Sequence, residues 1–133
     1  MTLPARSLAL AVLEGLTSGA PQAISALAGK RVVAASAIAD PDAFVTQVKR
    51  TGAQVQVATW KDHHQFRDED IAWLAHAARR ADHVVITAKD AVKLRGRWPA
   101  SVPEPLVARL AVTFEAGESE LRAALDRVIG HHA

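Results

Sequence analysis

The sequence contains no cysteine. Disulfides, thiolate metal sites and cysteine nucleophiles are therefore excluded. Long apolar runs are missing too, since none approaches the roughly 20 residues needed to span a bilayer. The stretch Leu8 to Leu16 is short and holds Glu14. Arg6 precedes it and Ser18-Gly19-Ala20 imitates a cleavage site, but a charge inside the apolar run argues against a signal peptide and for a cytosolic chain. Glycine is scarce, with seven residues that nowhere cluster. No G-x-x-x-x-G-K-[ST], G-x-G-x-x-G, G-x-S-x-G or H-E-x-x-H motif is present. A chain without a phosphate cradle is a poor candidate for a self-sufficient ATP enzyme. An excess of one charge is also lacking, because the formal net charge is only +2. The three tryptophans and three phenylalanines do not interleave with Lys or Arg as a stacking platform would. No nucleic-acid partner is expected.

What is present is a globular composition of 133 residues, half of them hydrophobic and 23% charged. That is enough for one domain with one ordinary core. Met1 to Gly19 places Leu8, Val12, Leu13 and Leu16 at helical spacing and reads as a short helix. A Pro- and Ala-containing connection follows, with one helical turn at Gln22 to Leu27. Arg31 to Ala35 reads as a buried parallel strand. Asp40 then suits an N-cap and Pro41 a first helical position, with Phe44, Val45 and Val48 on one face and Gly52 closing the helix. A second strand covers Ala53 to Thr59. Asp68 can cap the next helix, which turns Ile71, Leu74, Ala75 and Ala78 inward. His83 to Thr87 is a strand covered on both faces, and Ala88 to Leu94 is a turn and short helix. After a proline-rich loop, Leu106 to Phe114 is a fourth strand. Glu118 to Ile129 reads as a last amphipathic helix, and His131-His132 as a frayed end. Strand and helix alternate, which predicts a three-layer α/β/α fold with a mainly parallel sheet of four or five strands.

Ligands bind such sheets in the crevice at the carboxyl ends of the strands. Asp62-His63-His64 lies there, between the second strand and its helix. An acid beside an imidazole can form a base or charge-relay element, because histidine titrates near neutral pH and a carboxylate fixes its tautomer. The same residues could serve a metal, although no other His/Asp cluster is spaced to complete a ligand set, or could be an ordinary polar turn. Thr87-Ala88-Lys89-Asp90 lies at the next strand end. Lys89 could hold a phosphate with Asp90 pairing to it, or the pair could simply pin the turn. Ser36 to Pro41 offers helix amides to an anion, but Asp40 already competes for them. His76 and His83 read as structural. Lys93, Arg95 and Arg97 beside Trp98 read as a solvated face, with contact to anionic lipid or a partner domain as the alternative.

Several of these pieces together resemble one family. Gly29-Lys30-Arg31-Val32-Val33-Ala34-Ala35-Ser36-Ala37-Ile38-Ala39-Asp40-Pro41-Asp42-Ala43-Phe44 is similar to a strand-loop-helix of form G-K-x-V-x-A-x-x-G-I-G-x-P-x-x-F. Gly52-Ala53, Asp62-His63-His64-Gln65-Phe66, Asp70 and Val85-Ile86-Thr87-Ala88-Lys89-Asp90-Ala91-Val92-Lys93-Leu94 follow in order. Over roughly Leu27 to Val128 this resembles the C-terminal half of tetraacyldisaccharide 4'-kinase, the lipid A 4'-kinase. The sequence departs from the pattern at Ala37 and Ala39, which replace glycines, and at Ala88, which replaces a glutamate.

The resemblance implies transfer of the ATP γ-phosphate to the 4'-hydroxyl of a tetraacyldisaccharide 1-phosphate, with Mg2+, at the cytosolic face of the inner membrane. It implies two α/β domains joined by a β-strand linker. An N-terminal kinase domain would carry the phosphate loop, the magnesium ligands and the catalytic aspartate. On this reading residues 1–28 are an N-terminal helix and connection, and residues 29–130 a Rossmann-like domain equivalent to the C-terminal half. The chain alone is expected to be inactive and to bind no cofactor tightly. His63 matches the histidine that assists the catalytic aspartate across the cleft, Asp62 would orient its turn, and Lys89 and Asp90 would line the same cleft. No metal ligands are expected in this chain. Two other classes compete: a non-catalytic ligand-binding or interaction module keeping only the fold, and a metal-dependent phosphoesterase built on the Asp-His-His turn.

Overall fold

The computed structural model describes residues 6–114. Leu10–Leu110 is one compact unit, which holds the features below apart from the outer ends of the first and last strands. In chain order the elements are β1 (Arg6–Gly15), β2 (Pro21–Gln22), a single 3-10 turn (Ile24–Leu27), β3 (Arg31–Ser36), α1 (Pro41–Lys49), β4 (Gln54–Thr59), α2 (Asp68–Arg80), β5 (His83–Thr87), α3 (Ala88–Leu94) and β6 (Leu106–Phe114). The six strands form one sheet in the order β2-β1-β6-β5-β3-β4. Parallel pairing joins β3 to β4, β3 to β5 and β5 to β6, while β2 lies antiparallel to β1.

This is the expected α/β architecture, mainly parallel, with two more strands than the four read from sequence. Both extra strands come from the segment read as a helix and its connection. Leu8, Val12, Leu13 and Leu16 fit helical spacing, yet residues 6–15 are strand β1. Tertiary pairing decides. Leu13 and Glu14 pair with Gln22 and Pro21, Arg109 Nε donates to Glu14 Oε1 at 2.7 Å, and the Leu16 amide donates to the Pro105 carbonyl. A short apolar run fits either period, and the sheet supplies backbone partners that override weak helix propensity. The turn after β1 is held by Glu104, whose Oε1 accepts from the Thr17 and Ser18 amides and the Ser18 hydroxyl. A Cβ at Gly15 would meet the Glu104 carboxylate, which would have to shift away from these bonds. The helix expected over Glu118 to Ile129 and the end at His131-His132 lie outside the described residues.

The sheet separates two apolar clusters, as period-two alternation demands. Val33, Ala35, Val84, Ile86 and Val107 pack with Ile71, Leu74 and Ala78 of α2 and Ala91 and Leu94 of α3. Val32, Ala34, Val85, Leu106 and Ala108 pack with Phe44, Val45 and Val48 of α1. α1 therefore covers one face, and α2 and α3 the other. The capping expectations are modified. Asp40 sits at the N-cap of α1 but makes no side-chain cap bond, the Pro41 start sufficing. Asp68 is the first residue of α2 rather than its cap, and Asp70 Oδ2 accepts the Arg67 amide at 2.8 Å instead.

Candidate functional site

From β3 the chain passes through α1 to β4 on one side, and from β5 through α3 to β6 on the other. The connections leave in opposite directions at β3 and β5, so the topological switch point falls between these strands, where open α/β sheets bind ligands. Among the described residues, three buried side-chain oxygens have no hydrogen-bond partner: Ser36 Oγ, Asp62 Oδ1 and Asp90 Oδ1. One ends β3, one follows β4 and one follows β5. Unpaired buried polar atoms are costly and call for an explanation, and here they gather at the carboxyl edge of the sheet.

The Asp62-His63-His64 turn divides its two histidines. His63 holds φ 64°, the only positive φ at a non-glycine residue among the described residues. A left-handed residue other than glycine costs on the order of 1–2 kcal/mol. Its imidazole is 75% exposed and Nε2 lies 3.4 Å from Asp62 Oδ2. This is ion-pair range, but too long for a short hydrogen bond. His64 is the anchored one. Its Nε2 meets Asp70 Oδ2 at 2.8 Å, and its ring stacks on Trp60 and meets Phe66 edge-on. Asp70 is held below the usual carboxylate range, first by the Arg67 amide and then by the His64 bond.

The residues that fix this turn come from the stretch read as a solvated basic face. Lys93 Nζ donates to the His64 carbonyl at 3.1 Å. Arg97 donates to the Phe66 carbonyl at 2.7 Å and to Asp68 Oδ1 at 3.1 Å. Trp98 Nε1 donates to the Val102 and Pro103 carbonyls. Of these residues, only Arg95 fits the solvated reading as an exposed side chain with no ion pair or hydrogen bond among the described residues. Sequence reasoning missed these struts because long basic side chains reach carbonyls about thirty residues away, and no local pattern marks the target.

Lys89 and Asp90 separate as well. Lys89 is exposed, and makes no hydrogen bond or ion pair among the described residues. Asp90 is fully buried. Its Oδ2 accepts the Thr87 hydroxyl at 2.7 Å and the Ala37 amide at 3.0 Å, so it bridges the switch point from α3 to the loop after β3. Lys93, three residues on rather than adjacent, lies 3.7 Å from Asp90 Oδ1. A polar chain thus runs from Ala37 through Asp90 and Lys93 to the backbone of the histidine turn. Beside the turn, a groove of about 640 Å³ opens between Thr59, Trp60, Glu69 and Trp73.

The family model for tetraacyldisaccharide-1-P 4'-kinase matches residues 4–130. The chain belongs to this family. It is 34% identical to a tetraacyldisaccharide 4'-kinase of Geobacter metallireducens over 130 residues, covering 90% of this chain and 36% of the relative. Identity is 37% with one from Rhodopseudomonas palustris over 117 residues, covering 85% and 34%. It is 41% with one from Methylorubrum extorquens over 108 residues, covering 79% and 32%. The chain spans about a third of the length of these curated relatives. No solved structure matches it significantly.

No cluster of three or more His, Cys, Asp or Glu among the described residues could hold a metal ion, and the sequence has no phosphate-loop motif. No helix among the described residues is long and apolar enough to cross a membrane.

Proposed function

We propose that this chain is the C-terminal part of a tetraacyldisaccharide 4'-kinase, residues 29–130 forming its second α/β domain. The N-terminal kinase domain is then the partner that holds ATP and Mg2+, and a lipid A precursor at the cytosolic face of the inner membrane is the substrate. His63 is the chain's contribution to the active site. The observation that carries this reading is the contrast within one turn. His64 and the Phe66 carbonyl beside it are tied down, while His63 itself is strained, exposed and free to meet a facing group. Phosphoryl transfer depends chiefly on positioning and charge neutralisation, so an imidazole presented from a second domain suits the chemistry. Asp62, at 3.4 Å, biases the ring's orientation. Asp90 stiffens the cleft wall from within, and Lys89 stands exposed beside it.

The test is transfer of labelled phosphate from ATP to a tetraacyldisaccharide 1-phosphate. The chain alone should give none, and the chain mixed with a separately purified N-terminal kinase domain should give transfer. His63→Ala should then lower turnover at least about a hundredfold, the usual lower range for a positioned proton-handling group. Unchanged turnover would remove His63 from the active site. Activity of the chain alone would overturn the assignment of the phosphate site to the other domain.

A further inference from the structure

Strand β4 ends the sheet. All six of its residues pair with β3 on one side, and its other side has no strand partner among the described residues. Exposed edges are usually blunted by charge, proline or a bulge. Gln54-Val55-Gln56-Val57-Ala58-Thr59 carries neither a charge nor a proline, and its unbroken six-residue register leaves no bulge. Val57 is 46% exposed and Trp73 of the neighbouring helix 45%. Two hollows between β4 and α2 meet at Trp73. One, of about 850 Å³, includes Gln54, His76 and Arg80. The other, of about 640 Å³, includes Thr59 and Glu69.

The charges along this edge decide its occupant. The side chains of α2 that line the groove are Glu69, Asp70, Trp73, His76, Ala77 and Arg80, of which Glu69, Trp73, His76 and Arg80 fall at steps of four, three and four. The stripe is acidic at the helix start and basic at its end, with its midpoint between residues 74 and 75. A two-fold axis through that midpoint opposes Glu69 of one copy to Arg80 of the other, and Trp73 to His76. The same axis opposes Gln54 to Thr59 and Gln56 to Val57 along β4. A surface that complements its own rotated image is what an isologous contact requires. The local ion pair of Glu69 is with Arg67 at 3.7 Å, both side chains being about three-quarters exposed. Such pairs are weak and readily exchanged.

We propose that β4 and α2 form a two-fold interface with a second copy of this chain, β4 pairing antiparallel with β4 and the two α2 helices meeting through their opposite charges. Sedimentation equilibrium of the full chain from low micromolar to submillimolar concentration tests it. The expected result is a reversible dimer that Val57→Lys dissociates without changing the far-ultraviolet circular dichroism. Glu69→Arg and Arg80→Glu should each weaken the dimer at least about tenfold, because symmetry places each change at the contact twice. An equimolar mixture of these two variants should recover dimer, since both cross-pairs are then again opposite in charge. That recovery separates a lost contact from a lost fold. A chain that stays monomeric throughout overturns the proposal and leaves the edge to a strand from a different protein. A dimer untouched by Val57→Lys, or no recovery on mixing, equally overturns it.

Discussion

Two strand-to-helix turns at the same end of the sheet each carry an acid beside a basic residue, and they use them in opposite ways. In the turn after β5, Asp90 is fully buried, accepts two hydrogen bonds and has Lys93 close by. In the turn after β4, Asp62 is a third exposed and reaches only a loosely placed His63. The first is committed to joining the β5–α3 junction to the loop after β3. The second leaves its charge and its imidazole uncommitted. The difference teaches that rigidity and availability are supplied by separate residues at this edge. Lys93 links them, bridging from beside Asp90 to the carbonyl of His64.

Substituting each acid breaks or sharpens this comparison most strongly. Asp90→Ala strips the Ala37 amide, the Thr87 hydroxyl and Lys93 of a shared acceptor in the interior, and should cost about 3–5 kcal/mol. Asp62→Ala removes a partly exposed group whose one buried oxygen is already unpaired, and should cost less than about 1 kcal/mol. Urea unfolding of both variants measures the gap. Equal losses would mean that Asp62 is as structural as Asp90 and that the two turns do not differ in kind.

The sheet and its core were legible from the sequence where the pattern was long and unambiguous. The Val-rich runs of β3 and β5 and the inward face of α2 are what burial on both sides of a parallel sheet requires. The segment around Leu8 to Leu16 is not legible as a strand, because its period is ambiguous and its partners are remote. At the site, Asp62-His63-His64 was visible as a cluster, but the unequal standing of the two histidines was not. That inequality rests on a backbone angle at His63 and on Asp70, six residues further on, which turns one imidazole inward. Lys93 is legible as charge but not as a strut, because its receptor is a carbonyl, which any residue has.

The anchored half of the turn has its own pH signature. Asp70 is depressed in the folded chain by the Arg67 amide and by His64. A carboxylate depressed on folding stabilises the fold above its unfolded pKa, near 3.8, and that contribution fades as pH falls through the lower folded value. Asp82, depressed by the Arg31 amide, adds to the same acid limb. So does Glu104, where burial acts upward but the Ser18 and Thr17 bonds outweigh it. Asp70→Asn should therefore remove only part of the wild-type loss of stability below about pH 4. Unfolding free energies of the two proteins from neutral to acid pH give the comparison. Identical slopes would show that the His64 anchor carries no charge-linked stability.

The smallest expected effect is the most informative about His63. Glycine adopts φ near +60° without the steric cost borne by a residue with a Cβ. His63→Gly should thus leave stability unchanged or raise it by up to about 1 kcal/mol. His63→Ala keeps the Cβ and should gain nothing. If strain is tolerated at this position because the imidazole is needed, the glycine variant is the more stable protein and the poorer partner in phosphoryl transfer, with turnover as low as that of His63→Ala. A glycine variant that loses stability would mean that the imidazole helps hold the turn, placing His63 alongside His64 among the anchors and erasing the division of labour between them.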